Sequence, residues 1–310
     1  MGMVTDTASP AVVVVGAYNH GVTMRVPAIP VPGETVTGDS YAEGPGGKGS
    51  NQAVAAARLG AAVSFVGRVG DDRFGEQARA LWDREGVTAF VETVDKPTGV
   101  GFVIVDETGE NAITVAPGAN DTLDGAAVRA TADTVAAADV ALVQLEIGDE
   151  PVATTVDLAA ANSTETVLNP APARTLPSAV LDRVDVLTPN RTEARALAGL
   201  APDADVADET VAASLLDRGP DAVVLTQGAA GALVHTPSQT TTVPGPSVKV
   251  VDTTGAGDAF NAGFAVARAE GTTLADAARF GTVVGSLTCT GSEVIPALPD
   301  RATVEAHTVE

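Results

Sequence analysis

From residue 138 onward, β-branched runs and Ala-rich helical stretches alternate along the chain, and this alternation restricts the fold more than any other feature. Apolar runs at 140–145, 166–168, 184–187 and 222–225 are interleaved with helical stretches at 150–161, 191–198 and 207–218. Helical connections of this kind let successive strands run parallel, so the pattern predicts a mostly parallel sheet with helices on both faces. The N-terminal run Val12-Val13-Val14-Val15 fits that sheet, because four consecutive β-branched residues leave no polar face for water. The chain of 310 residues, 45% hydrophobic, is long enough for one large α/β unit, read here as a single domain over 1–310.

In a parallel sheet the loops after the strands' carboxyl ends are where ligands are read. Those loops carry Tyr18, Asn19 and His20 after the first strand, and then Glu146, Asn169, Asn190 and Thr226. Residues 24–41 break the pattern with Pro27, Pro30, Pro32 and Gly33, and read as short extended pieces rather than a helical crossover. Two further extended runs, 98–105 and 111–116, flank Asp106-Glu-Thr-Gly-Glu110, a hairpin signature. Together these segments predict a small separate sheet, over approximately 22–43 and 97–117, placed as a lid. Its outer apolar face is expected to pair with a second copy of the chain, giving a homodimer.

Two glycine-rich stretches carry the chemistry. In Asp252-Thr-Thr-Gly-Ala-Gly-Asp-Ala-Phe-Asn-Ala-Gly263 a carboxylate, a Gly-rich turn and a second carboxylate lead into an apolar helix. Free N–H groups and the positive end of the helix dipole at Gly255, Ala256 and Gly257 make an anion site. Asp258 beside it suits a base that accepts a proton from an attacking hydroxyl. The same residues would also serve as the capped start of a core helix. In Gly44-Pro-Gly-Gly-Lys-Gly-Ser-Asn-Gln-Ala53, glycines again precede an Ala-rich helix, predicted over 52–59. This is not a P-loop, since GxxxxGK[ST] is absent. Nor does a GxGxxG follow the first strand, which argues against a dinucleotide-binding oxidoreductase.

Charge and composition exclude other classes. Net charge is −22, with three lysines (Lys48, Lys96, Lys249) against fifteen arginines, which disfavours nucleic acid as a partner. Acidic residues spread through 71–72, 106–110 and 203–209 resemble the surfaces of proteins from salt-accumulating halophiles. One cysteine, Cys289, and three scattered histidines, His20, His235 and His307, leave no set for a disulfide or a zinc site. No run of about 18 apolar residues and no basic leader is present, so no membrane partner and a cytoplasmic location are expected.

The two motifs, in this order, resemble the two signatures of the PfkB carbohydrate kinases, with the ribokinase branch most similar. The likeness extends through Pro32-Gly-Glu-Thr-Val-Thr-Gly38, Gly118-Ala-Asn120, Leu145-Glu146, Leu168-Asn-Pro-Ala-Pro-Ala-Arg174 and Thr188-Pro-Asn-Arg-Thr-Glu193. It implies a ribokinase-like α/β fold with a β-sheet lid, and ATP-dependent phosphorylation of a sugar's primary hydroxyl. By this resemblance Asp258 is the base, and the amides of Gly255, Ala256 and Gly257 hold the γ-phosphate. Asn190 and Glu193 would organise Mg²⁺ through water; as residues of one helix start they would equally form its cap. Thr226, Gln227, Gly228, Gly231 and Thr282 match nucleotide-contacting positions. Asp252, Thr254, Ser286 and Gly291 lie near the positions for a monovalent cation, K⁺, although Thr288-Cys-Thr-Gly291 lacks the usual arginine. Asn19, Gly47, Lys48, Asn51 and Glu146 match sugar-contacting positions.

One departure bears on the sugar. The branch carries an aspartate where this chain, reading Gly16-Ala-Tyr-Asn-His-Gly21, has Gly21. Losing that acceptor, beside His20 and Arg25, would suit an anionic sugar such as ribose 1-phosphate or 2-keto-3-deoxygluconate. A nucleoside kinase and a non-catalytic nucleotide- or sugar-binding paralogue are the other readings.

Overall fold

The tetravaline run lies near the middle of a nine-stranded sheet, with Val12 and Val14 packed into the core on one face and Val13 and Val15 into the core on the other. The computed structural model describes residues 9–308. In chain order the first half contains β1 (Ala11–Val15), β2 (Asn19–Arg25), β3 (Ser40–Gly46), α1 (Lys48–Arg58), β4 (Ala62–Gly70), α2 (Arg73–Arg84), β5 (Thr88–Val94), β6 (Gly99–Val105), β7 (Asn111–Ala116), α3 (Gly125–Arg129), α4 (Ala132–Ala136) and β8 (Val140–Gln144). The second half adds α5 (Asp149–Asn162), β9 (Glu165–Asn169), α6 (Ser178–Leu181), β10 (Val186–Leu187), α7 (Arg191–Leu197), α8 (Asp208–Leu216), β11 (Ala222–Thr226), β12 (Ala232–His235), β13 (Thr240–Val243), α9 (Ala256–Ala269), α10 (Leu274–Thr288), α11 (Val294–Ala297) and α12 (Arg301–Thr308).

The large sheet has the order β13-β12-β11-β10-β9-β8-β1-β4-β5, parallel from β11 to β5 and antiparallel at β12 and β13. Residues of α1, α9 and α10 pack in the core on one face, and residues of α5 and α8 in the core on the other. This is the ribokinase-like α/β architecture. The second sheet has the order β3-β2-β6-β7, with β2 and β6 parallel and its outer pairs antiparallel. It is the lid, and its strands reach inward past the expected limits, to Asn19 and Gly46.

Three differences from the sequence reading have physical causes. Helix α1 starts at Lys48 rather than at residue 52, because Gly49 is needed for packing rather than for a loop. A Cβ on Gly49 would lie 2.8 Å from the backbone of Gly16 and Ala17, so the first turn of α1 rests directly on the end of β1. Strand β5 was not anticipated; it is the edge strand beside β4, and its half-exposed alternation is weak beside the continuous central runs. Between β2 and β3, residues 26–39 cross without regular structure, as the prolines there dictate.

Candidate active site

Each glycine motif opens its helix with a glycine in the left-handed region. Gly47 precedes α1 at φ 86°, and Gly255 precedes α9 at φ 80°. At Gly47 a Cβ would also stand 2.5 Å from the backbone N of Asn19, so only glycine lets α1 begin against the lid strand β2. At Gly255 a Cβ would meet Val294 Cγ1 at 2.4 Å. Helices α1 and α9 then pack together, which brings the two motifs to one point although about 200 residues separate them.

That point is Asp258, in the first turn of α9 and 7% exposed. Asn51 Nδ2 donates to its Oδ2 at 2.8 Å, and Gln52 Nε2 donates to its Oδ1 at 3.1 Å. Gln52 Nε2 is shared with Asn169 Oδ1 at 3.2 Å, and Asn169 Nδ2 donates to the Thr188 carbonyl at 3.1 Å. The Thr188 hydroxyl reaches Asn261 Oδ1 at 2.5 Å, and Asn261 Nδ2 returns to the carbonyl of Gly257 at 2.8 Å. A ring of buried amides and a hydroxyl therefore fixes both the carboxylate and the turn that carries it. Buried polar networks of this kind hold one geometry only when their members are satisfied.

Around Asp258 the charges are arranged deliberately. Glu146 Oε2 accepts from the backbone N of Lys48 at 2.9 Å and from Asn19 Nδ2 at 3.3 Å. Asn120 locks Asn19 in turn: its Nδ2 donates to Asn19 Oδ1 at 3.0 Å and to the Tyr18 carbonyl at 2.8 Å. The charge of Asp258 foremost, with Glu146 and Glu193, pushes the Lys48 ammonium above its ordinary range, against the effect of burial. Burial pushes both the Glu146 and Glu193 carboxyls up, with Lys48 pulling each of them down. One ammonium thus lies within the electrostatic reach of three carboxylates. Such a cation retains its proton and can attend an anionic reactant.

Along the carboxyl edge of the sheet, Asn190 beyond β10 and Thr226 at the end of β11 sit side by side in a parallel bridge. Asn190 and Glu193 form a full capping box on α7: Glu193 N donates to Asn190 Oδ1, and Asn190 N to Glu193 Oε2, each at 2.8 Å. Single carboxylates with free lone pairs suit Mg²⁺ held through its waters, so these residues fit that ion. Gln227 Nε2 donates to Asp208 Oδ2 at 2.6 Å, and Arg191 and Arg195 hold the same carboxylate. Burial works against the charge of Asp208, yet these partners keep it below the ordinary carboxylate range. Gly228 and Gly231 bracket the short turn that follows. Thr282 is buried in α10 with its hydroxyl donating to the Ala278 carbonyl.

The supposed cation positions are brought together in part. Asp252 Oδ1 accepts from the N and Oγ1 of Thr254, and the N–H groups of Val251 and Asp252 donate to the carbonyl of Cys289 at the end of α10. This places Asp252 and Thr254 near the C-terminal end of the helix that carries Ser286, with Gly291 just beyond it. His20 and Arg25 do not assemble an anion site. His20 alternates with Asn19 on β2 and points away from it, buried and stacked on Phe74 at 3.8 Å between ring centroids. Burial pushes its imidazole down, with Glu43 at 3.6 Å pulling the other way. Arg25 stands at the far end of the strand.

A parallel sheet with a small β-sheet lid, a buried carboxylate at a glycine-opened helix start, and polar groups along the carboxyl edge define a kinase of small hydroxylated substrates. Residues 9–301 match the family described as pfkB family carbohydrate kinase, and the chain belongs to that family. It is 39% identical over 294 residues to a ribokinase of Haemophilus influenzae, covering 93% of this chain and 95% of the relative. A crystal structure of a ribokinase from Thermotoga maritima superposes with a TM-score of 0.87 at 33% identity, over 97% of this chain and 100% of that one. An Arabidopsis thaliana ribokinase complexed with ribose and ATP superposes with a TM-score of 0.86 at 30% identity, over 96% of this chain and 98% of that one.

Gln52, Asn120, Thr188 and Asn261 stand inside the quoted motif segments and Asp208 inside an acidic stretch, yet none of the five is given a role there; Asn169 is singled out only as a strand end.

Proposed function

We propose that the protein is an ATP-dependent kinase of a pentose-like sugar, transferring the γ-phosphoryl group to a primary hydroxyl. The observation that carries this reading is the Asp258 carboxylate, buried at the start of α9 and held from both sides by Asn51 and Gln52 of the other motif. The similarity to ribokinases, one of them solved with ribose and ATP, supports the donor and the acceptor class.

In the proposed reaction Asp258 accepts the proton of the sugar hydroxyl as its oxygen bonds to the γ-phosphorus. The bond from that phosphorus to the β-phosphate bridging oxygen breaks, and ADP leaves with the electron pair. The amides of Gly255, Ala256 and Gly257 receive the charge that develops on the transferred group, helped by the dipole of α9. Asn19, Gly47, Lys48, Asn51 and Glu146 orient the sugar. Thr226, Gln227, Gly228, Gly231 and Thr282 take the nucleotide. Asn190 and Glu193 would hold Mg²⁺ through its waters, and the ion would supply positive charge against the phosphates. Asp252, Thr254, Ser286 and Gly291 are assigned to a monovalent cation, which the partial negative charge at the end of α10 favours. The acidic surface fits a salt-rich cytoplasm, and the exposed apolar residues of the lid fit a homodimer. The test is the kcat of Asp258→Asn set against its nucleotide affinity, with a loss of at least about 10²-fold expected in the first and none in the second.

A further inference from the structure

Five glycines lie on the face of the lid that carries Asn19, and they divide into two kinds. Beside Asn19 in register are Gly46 on β3 and Gly99 on β6. Both have reasons inside the protein: a Cβ at Gly99 would stand 2.3 Å from Asn19 Oδ1, and one at Gly46 would stand 3.3 Å from the Asn19 carbonyl. The next row across the same strands is Gly44, Gly21 and Gly101. None of these three has a positive φ. A Cβ at Gly44 or Gly101 would meet nothing within 4 Å, and one at Gly21 only the Gly44 carbonyl at an ordinary 3.5 Å.

Glycine inside a strand weakens it, and in natural sheets it marks a bulge, a sharp bend, or a place where a ligand or another backbone comes close. The register of β3-β2-β6 is unbroken through this row, so no bulge explains it. A side-chain-free patch one row beyond Asn19, on the same face, adjoins the site where Asn19, Lys48 and Glu146 meet. The row continues to Val115 on β7, and the row beyond holds Thr23, Ala42, Val103 and Ile113. The patch is therefore flat and mostly apolar, and its backbone N–H groups are engaged in the sheet.

We infer that this row seats part of the acceptor: the substrate is a pentose carrying a further substituent on the ring end turned to the lid, away from the hydroxyl that is phosphorylated. This rests on the kinase reading above and names its substrate more narrowly. The floor offers no side chain to pair with ring hydroxyls there, so a bare pentose leaves the space unfilled. A substituted one covers it and gains contact area.

The experiment compares kcat/KM for ribose, ribose 1-phosphate and uridine in the full chain, with ATP and Mg²⁺ in molar KCl. At least one substituted pentose is expected to exceed ribose tenfold or more, and which one shows whether the substituent is charged. Gly21→Val and Gly101→Val, where an added Cβ meets no close contact and strand propensity rises, are expected to lower kcat/KM for that substrate at least tenfold more than for ribose. Melting temperatures confirm that both variants fold. A preference for free ribose, or an equal loss on all three substrates, overturns the inference and leaves the kinase reading intact. No phosphorylation of any of the three in the wild type counts against the kinase reading itself. Loss of dimerisation with unchanged kinetics would assign the row to the partner lid and also overturn the inference.

Discussion

Asp258 is an ordinary aspartate made special by its neighbours, and the same holds for Glu146. Burial pushes the Glu146 carboxyl up more than the charge and N–H of Lys48 pull it down. A group that holds its proton more tightly folded than unfolded adds stability below the ordinary carboxylate range and loses it as pH rises through the folded value. Ionised Glu146 therefore costs stability at neutral pH. Glu146→Gln is expected to melt above the wild type at about pH 8 and to lose that advantage below about pH 4. Its kcat/KM should fall at least about tenfold with one charged hydrogen-bond acceptor gone. A lower melting temperature at both pH values would contradict this. At this scale the sequence singled out Asp258, Lys48 and Glu146 as candidates, because glycine punctuation and strand ends isolate them, and Asn51 through the family resemblance. It did not disclose Gln52, Thr188 or Asn261, which read as plain polar residues of Ala-rich or strand-end segments until the chain folds them into one ring. Asp208 was equally silent, since its meaning depends on Gln227 from a different strand end.

At the level of elements, the central parallel strands and their crossovers were legible because continuous β-branched runs have one stable use. The start of α1 was not, because glycines that serve close packing look the same in sequence as glycines that serve a loop. The lid was legible as a separate sheet from its prolines and its hairpin signal, while the function of its surface was not. Tyr41 is 69% exposed, Phe102 50% and Met24 40%, an unusual apolar display on one face of three strands of a small sheet, opposite the face that carries Asn19. A second copy covering these residues would explain the display. The wild type is expected to sediment as a dimer at micromolar concentration, and a Tyr41→Asp, Phe102→Asp pair as a monomer, a loss of at least about 2 kcal/mol of association. A wild type that stays monomeric up to about 100 μM, where an association weaker than about −5.5 kcal/mol would go unseen, would contradict the proposed interface.

For the whole molecule, the net charge of −22 sets the conditions under which everything else operates. Self-repulsion on this scale weakens a compact state in dilute buffer and is screened as the Debye length falls from about 10 Å at 0.1 M salt to about 3 Å at 1 M. The melting temperature is expected to rise by several degrees across that range of KCl, and an unchanged value would contradict the salt-adapted reading. Measuring activity across the same range in KCl and in choline chloride separates screening from occupancy of the proposed cation site at Asp252, since only the first salt supplies a small cation. Among the described residues no helix is long and apolar enough to cross a membrane. The central claim is narrower: two motifs far apart in the chain converge to make Asp258 a base at an anion-binding helix start. Its most direct test is turnover by Asp258→Asn at saturating ATP, Mg²⁺ and sugar. The account predicts kcat reduced by at least about 10²-fold with nucleotide affinity retained; turnover near that of the wild type would contradict it.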